Sequence, residues 1–254
     1  MDIFTSDGPA GNEVATVLAE AASVGVDRVV QVGCDIESSR FAVECANAWP
    51  GQVLAAIAIH PNDAARLEDL ATALEIIDEL AAETRVRAIG ETGLDYFRTP
   101  ESGRDQQTLS FREHIAIAKR HNKTLMIHDR DAHDDVLKVL REEGAPDQVI
   151  LHCFSGDDVM ANECVALGFI LSFAGTVTFS NAPKLRAALL RVPLDQLLVE
   201  TDAPFLTPSP YRGRPNAPYL VPITIRAIAE IRGEDPEIVA AAVSENATRV
   251  FGPF

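Results

Sequence analysis

Seven short, nearly continuous apolar runs recur along the chain, and they limit what it can fold into more than any other feature. They are 28-RVVQVGC-34, 53-VLAAIAIH-60, 85-RVRAIGE-91, 123-KTLMIH-128, 148-QVILHC-153, 169-FILSFAG-175 and 196-QLLVETD-202. Each is rich in Val, Ile and Leu and lacks the alternation of a half-buried strand. Each therefore reads as a strand buried on both faces of a parallel sheet. Amphipathic segments lie between or beside them, among them 63–83, 105–121, 219–233 and 235–252. Strand starts fall about 20–40 residues apart, the spacing of βα units. The expectation is an α/β fold, a TIM-type (β/α)8 barrel, with residues 1–254 forming one domain of ordinary barrel size. A full barrel needs one strand more than these seven runs supply. The helical segment 11–25 has no strand before it, and residues 1–10 are short and broken by Gly8 and Pro9. The first strand is thus expected to be missing, shortened or atypical. An open doubly wound sheet is the alternative, but no GxGxxG or Walker loop follows any run.

Composition narrows the function classes. The formal charge is −16. An acidic surface repels phosphates, which argues against a passive nucleic-acid coat protein. It leaves open an enzyme that meets nucleic acid in a cleft where divalent cations reverse the local field. No apolar run approaches the ~20 residues of a membrane span, and the start shows no secretory signal, so no membrane partner is expected. Cys34, Cys45, Cys153 and Cys164 form no CxxC pair. That usage fits a reducing compartment, the cytosol. Nothing in the sequence fixes an oligomeric state.

The chemistry is concentrated where the runs finish. They close on His60 (IHPND), Glu91 (GETGLDY), His128 (IHDRDAH), His152 (LHCFSG) and Asp202 (ETDAPFL). Strand ends on one rim are where barrel enzymes build their sites. Neighbouring strands are ~4.8 Å apart, so side chains from successive ends converge. Imidazole and carboxylate donors suit a divalent cation, Mg, Mn or Zn. Each residue also has a plainer role open to it, a hydrogen-bonded histidine or a helix-capping acid. Several together favour a cation, because buried charges are expensive without one. Glu91, His128, His152 and Asp202 are therefore the expected metal set. Such a cation activates water and polarises the bond to be cleaved, and Asp202 is placed to take the water's proton. His114 and His121 read as packing or surface residues, and His133 as a neighbour of the site.

The segments AIHPND, AIGETGLDYF, HDRDAHD, LHCFSG, LLVETDAPFL and RGRPNAP, in this order, resemble the TatD family of metal-dependent deoxyribonucleases. The resemblance implies an amidohydrolase-like barrel that hydrolyses phosphodiester bonds in DNA. It further implies a 3′→5′ exonuclease acting at single-stranded ends, with one or two divalent cations. By position, Glu91 becomes a shared ligand and a catalytic residue, His128 and His152 complete one metal site, and Asp202 serves as base. His60 contacts phosphate, Arg130 offers a bidentate phosphate partner, and Arg212, Arg214 and Asn216 in 211-YRGRPNAPY-219 line the cleft. Many members open with a strand ending in His-x-His. Here the first histidine is His60, so one cation is expected to be held well and a second weakly or not at all. Two other readings stand beside this one. The first is another barrel metallohydrolase, an amidohydrolase or lactonase. The second is a degenerate barrel with a binding role.

Overall fold

Parallel strands and helices alternate through residues 11–254, the part of the chain that the computed structural model describes. The expectation about a first strand falls on residues 1–10 and lies outside the described residues. The architecture is α/β and TIM-like, with seven strands among the described residues. Two compact units divide them, residues 30–152 and residues up to 29 together with 153–254. Helix α1 (Gly11–Ser23) belongs to the second of these and buries Val14, Leu18 and Ala21, one helical face.

The 30–152 unit follows from its buried strands. It runs β1 (Val29–Gly33), α2 (Ile36–Ala48), β2 (Val53–Ile57), α3 (Pro61–Ala64), α4 (Leu70–Leu80), β3 (Val86–Asp95), α5 (Arg104–Arg120), β4 (Thr124–Arg130), α6 (His133–Glu143) and β5 (Val149–Leu151). All five residues of β2 are buried. Burying a side chain such as Leu54 or Ile57 stabilises by about 1.5–3 kcal/mol. The strands pair parallel in chain order, with Ala56 opposite Ala88, Leu125 opposite Ile89, and Leu151 opposite Ile127. Helix α2 starts at a capping box in which Asp35 and Ser38 satisfy each other's backbone N–H. The single helix expected over 63–83 is two. His60 and Pro61 start α3, and Asp69 starts α4 by accepting from the Thr72 N–H at 3.0 Å. Two capping signals override one continuous amphipathic pattern.

Strand β3 runs four residues past its expected end. Ile89 pairs with Leu125, but Thr92 pairs with Ile127, so β3 carries one extra residue here. That is a bulge, a device that re-aims a side chain. The ladder then continues with Gly93 opposite His128, where a Cβ on Gly93 (φ 137°) would fall 2.1 Å from the His128 carbonyl oxygen. Beneath β3, the fully buried His114 of α5 donates from Nδ1 to the Ser110 carbonyl (2.7 Å) and accepts the Ile59 N–H at Nε2 (3.1 Å). It thereby holds the chain just before His60.

The other unit continues with α7 (Asp158–Ala166), β6 (Ile170–Phe173), α8 (Pro183–Leu189), β7 (Leu197–Val199), α9 (Val221–Arg232) and α10 (Pro236–Phe251). Strands β6 and β7 pair parallel, Ser172 opposite Leu198. Asn246 of α10 donates to the carbonyls of Leu194 (2.6 Å) and Leu197 (2.8 Å), fixing that helix to the start of β7.

Candidate metal centre

The bulge in β3 turns Glu91 into a group of imidazoles. Glu91 is 6% exposed, and its Oε2 lies 3.3 Å from His128 Nδ1 and 3.0 Å from His152 Nε2. Its other oxygen, Oε1, accepts from Cys34 Sγ at 3.5 Å. His128 is set beside it by the β3–β4 register. His152 follows β5 directly, and its N–H bonds the Ile127 carbonyl at 2.8 Å. His60 caps α3, with its ring centroid 4.7 Å from that of His128 in an edge-to-face arrangement. Ligand-type atoms of His60, Glu91 and His128 all lie within 4.8 Å of one another.

Strand ends do not carry these residues in the way the sequence suggests. Glu91 and His128 lie inside strands that run on to Asp95 and Arg130, because pairing resumes beyond the bulge. His60, His152 and Asp202 lie past the ends of β2, β5 and β7. Pro61 turns the chain into α3 after His60. At Asp202 the backbone is left-handed (φ 56°), and its carbonyl accepts the Phe205 N–H at 2.8 Å. Asp202 belongs to the unit that holds β6 and β7, and the three site imidazoles and Glu91 belong to residues 30–152.

Charge in the 30–152 cluster is strongly organised. Burial favours the neutral form of Glu91, yet the field of His152 and the hydrogen bonds from His128 and His152 hold it well below the usual carboxylate range. Burial also opposes a charge on His128, but the Asp95 and Glu91 carboxylates outweigh it and raise the ring to about 9. Burial dominates at His60 and lowers it to about 4, so this ring is neutral. Its Nδ1 accepts the Asn62 N–H at 3.1 Å. A neutral ring that accepts at Nδ1 carries its proton on Nε2, so His60 presents a donor.

Donor chemistry and spacing fit a divalent cation. Two imidazole nitrogens stand 3.0 and 3.3 Å from one carboxylate oxygen. Ligands about 2.1 Å from a shared ion are themselves separated by roughly 3.0–3.4 Å. Glu91, His128 and His152 bring one carboxylate oxygen and two imidazole nitrogens to that spacing, and His60 joins Glu91 and His128 in the group whose ligand-type atoms lie within 4.8 Å of one another. The Asn62 N–H occupies His60 Nδ1, which favours a proton on Nε2 of that ring in the metal-free protein.

The remaining sequence-derived residues are placed as follows. The Arg130 guanidinium lies 4.0 Å over the exposed Phe97 ring, and neighbouring Asp129 instead engages His133 at 2.7 Å. Arg212 stacks over Phe179 at 4.0 Å, and Arg214 lies 5.9 Å from the Tyr211 ring. Asn216 is buried and donates to the carbonyls of Thr201 and Phe205, both at 2.8 Å, so its amide holds the 201–217 loop together. Asp95 is the residue that sequence reasoning misses. It is 1% exposed and 3.3 Å from His128 Nε2. Burial disfavours its charge, but hydrogen bonds from His128, the Arg98 N–H and Asn62 hold its carboxyl far below the normal range. The available signal is even spacing, since Glu91 and Asp95 on one strand share a face.

Comparison with known proteins places the chain in a family. Residues 5–252 match the family described as TatD related DNase. A Mycobacterium tuberculosis protein called an uncharacterized metal-dependent hydrolase TatD is 49% identical over 243 residues, 94% of this chain and 91% of its own. The 3′-5′ ssDNA/RNA exonuclease TatD of Pectobacterium carotovorum is 36% identical, with 92% of each chain covered. The crystal structure of YJJV, a TatD homologue from Escherichia coli K12, superposes with a TM-score of 0.88 at 28% identity, covering 96% of this chain and 93% of that one. By class the chain is a metal-dependent hydrolase on a TIM-like α/β fold. It belongs to the TatD-related DNase family.

Proposed function

We propose that the chain is an exonuclease that removes nucleotides from the 3′ end of single-stranded DNA. One observation carries the reading, the buried Glu91 oxygen flanked by His128 Nδ1 and His152 Nε2. The family description and the exonuclease name of the Pectobacterium relative support nucleic acid as substrate. A family match over nearly the whole chain supports one catalytic domain.

Glu91, His128 and His152 hold the cation, Mg, Mn or Zn, in this reading. When bound, it supplies Lewis acidity that eases deprotonation of water and polarises the phosphate. Asp202, carried by the ETDAPFL motif, accepts the water's proton as the new P–O bond forms, and the bond to the 3′ oxygen breaks, that oxygen taking up a proton to leave as the 3′-hydroxyl of the shortened strand. The His60 Nε2–H donates to a phosphate oxygen. Arg130, Arg212 and Arg214 hold phosphates through the guanidinium fork, and Asn216 keeps the 201–217 loop in shape.

The test is digestion of 5′-labelled single-stranded DNA with Mg, Mn or Zn, beside a 3′-blocked copy, an RNA of the same sequence, a lactone and a phosphotriester. Stepwise shortening of the free 3′ end, abolished by chelator and by Glu91→Ala, is expected. Preferred turnover of the lactone or phosphotriester, or DNA cleavage that Glu91→Ala leaves intact, overturns the reading.

A further inference from the structure

Behind His128 lies a closed ring of polar side chains. Asp95 Oδ2 accepts from Asn62 Nδ2 at 3.0 Å, and Asn62 Oδ1 accepts from Thr99 Oγ1 at 3.0 Å. Thr99 Oγ1 accepts from Gln107 Nε2 at 2.7 Å, and Gln107 Oε1 accepts the Asp95 N–H at 3.1 Å. The Arg98 N–H completes the set by donating to Asp95 Oδ1 at 2.8 Å. Asp95, Thr99 and Gln107 are buried. A fully satisfied buried network is stiff, and this one immobilises the Asp95 carboxylate.

Its open side faces the cluster, where Asp95 Oδ2 stands 3.3 Å from His128 Nε2. Asp95 already accepts from Asn62 Nδ2 and the Arg98 N–H, so the geometry sets its carboxylate as an acceptor toward His128 Nε2, which leaves His128 Nδ1 directed toward Glu91 Oε2, 3.3 Å away. The same ring reaches His60, because the Asn62 backbone N–H donates to His60 Nδ1.

We propose that Asp95 is a positioning residue that fixes His128 with Nδ1 as the metal-ligating atom, and that Asn62 ties His60 into the same frame with its Nε2–H outward. The inference rests on the reading of Glu91, His128 and His152 as cation ligands. A carboxylate behind a ligating imidazole sets both its tautomer and its direction. Asparagine cannot replace Asp95. Three donors converge on the carboxylate, from His128, Asn62 and Arg98, so the amide NH2 of an asparagine must confront one of them.

The experiment uses the whole chain, first stripped with chelator. Zn2+ is titrated in competition with a chromogenic chelator, and the 15N-histidine protein is loaded with 113Cd for NMR. In the wild type, 113Cd coupling to His128 Nδ1 is expected, with a proton on Nε2. Asp95→Asn is expected to weaken Zn2+ binding about 10–100-fold while the circular dichroism stays unchanged. Asp95→Glu, which keeps a carboxylate, should retain more affinity than Asp95→Asn. If Asp95→Asn fails to fold, Asn62→Ala, which removes one donor from Asp95, should still lower the affinity. Cadmium on His128 Nε2, or folded Asp95→Asn and Asn62→Ala proteins within twofold of wild type, overturns the inference alone. A flat wild-type titration removes the metal reading and this inference together.

Discussion

His128 stands between two carboxylates, Glu91 at Nδ1 and Asp95 at Nε2, and that decides how the cluster responds to pH. With the ring raised to about 9, the metal-free protein carries an imidazolium at neutral pH. A cation that takes a His128 lone pair must displace that proton. Metal affinity should therefore rise about tenfold per pH unit from 6 to 8 and level off near 9. Competition titrations at several pH values measure this, and a flat profile contradicts it. His114 titrates in the opposite sense. Burial lowers it to about 4, partly offset by the Ser110 carbonyl, from an ordinary value of 6.5. Between those values the unfolded chain binds a proton that the folded one refuses. Its contribution is complete above pH 6.5 and is lost as pH falls toward 4, by about 3 kcal/mol in all. Urea unfolding in chelator at pH 7.5, 6 and 5 should show that decline, and His114→Gln should reduce its slope.

Among the elements, β3 and β4 bear the most, because their register sets Glu91 beside His128. Gly93 sits at their closest approach, at φ 137° and opposite His128. Gly93→Ala should cost about 3 kcal/mol or more, through strain and collision with the His128 carbonyl. Thermal unfolding reads the loss, and a melting point within a degree or two of wild type contradicts the account. The seven strands were legible because a strand buried on both faces leaves an unbroken apolar run, as β2 shows. Their ends were not legible. The bulge at Gly90–Glu91 and the left-handed turn at Asp202 are backbone events that hydrophobic periodicity does not encode. For the same reason Glu91, His60, His128 and His152 could be marked from the sequence while Asp95 could not. Its run seemed to close at Glu91, yet pairing carries β3 on to Asp95. The split of 63–83 into α3 and α4 was written in Pro61 and Asp69, capping residues that a smooth amphipathic pattern hides.

At the scale of the whole molecule, the proposed function asks a chain of net charge −16 to hold a polyanion with few cationic contacts. A basic-patch protein gains affinity by releasing many counterions, and its binding collapses with salt. Here the proposed phosphate partners are Arg130 and Arg212, each 4.0 Å over an aromatic ring, Phe97 and Phe179, and Arg214, 5.9 Å from the Tyr211 ring. In the proposed reading, Arg130 and Arg212 keep their N–H groups for phosphate while the guanidinium sits over the ring. Three contacts to a single strand predict a slope of log affinity against log salt of about −2, from roughly −0.7 per contact. Arg130→Ala should raise KM for single-stranded DNA, leave kcat within about twofold, and reduce the slope by about 0.7. Steady-state kinetics at 50, 100 and 200 mM KCl with fixed Mn2+ measure both quantities. A slope near zero in the wild type means that the cation alone binds the substrate phosphate. An unchanged slope in Arg130→Ala, with the wild type near −2, removes that arginine from the contact and leaves the rest of the set in place.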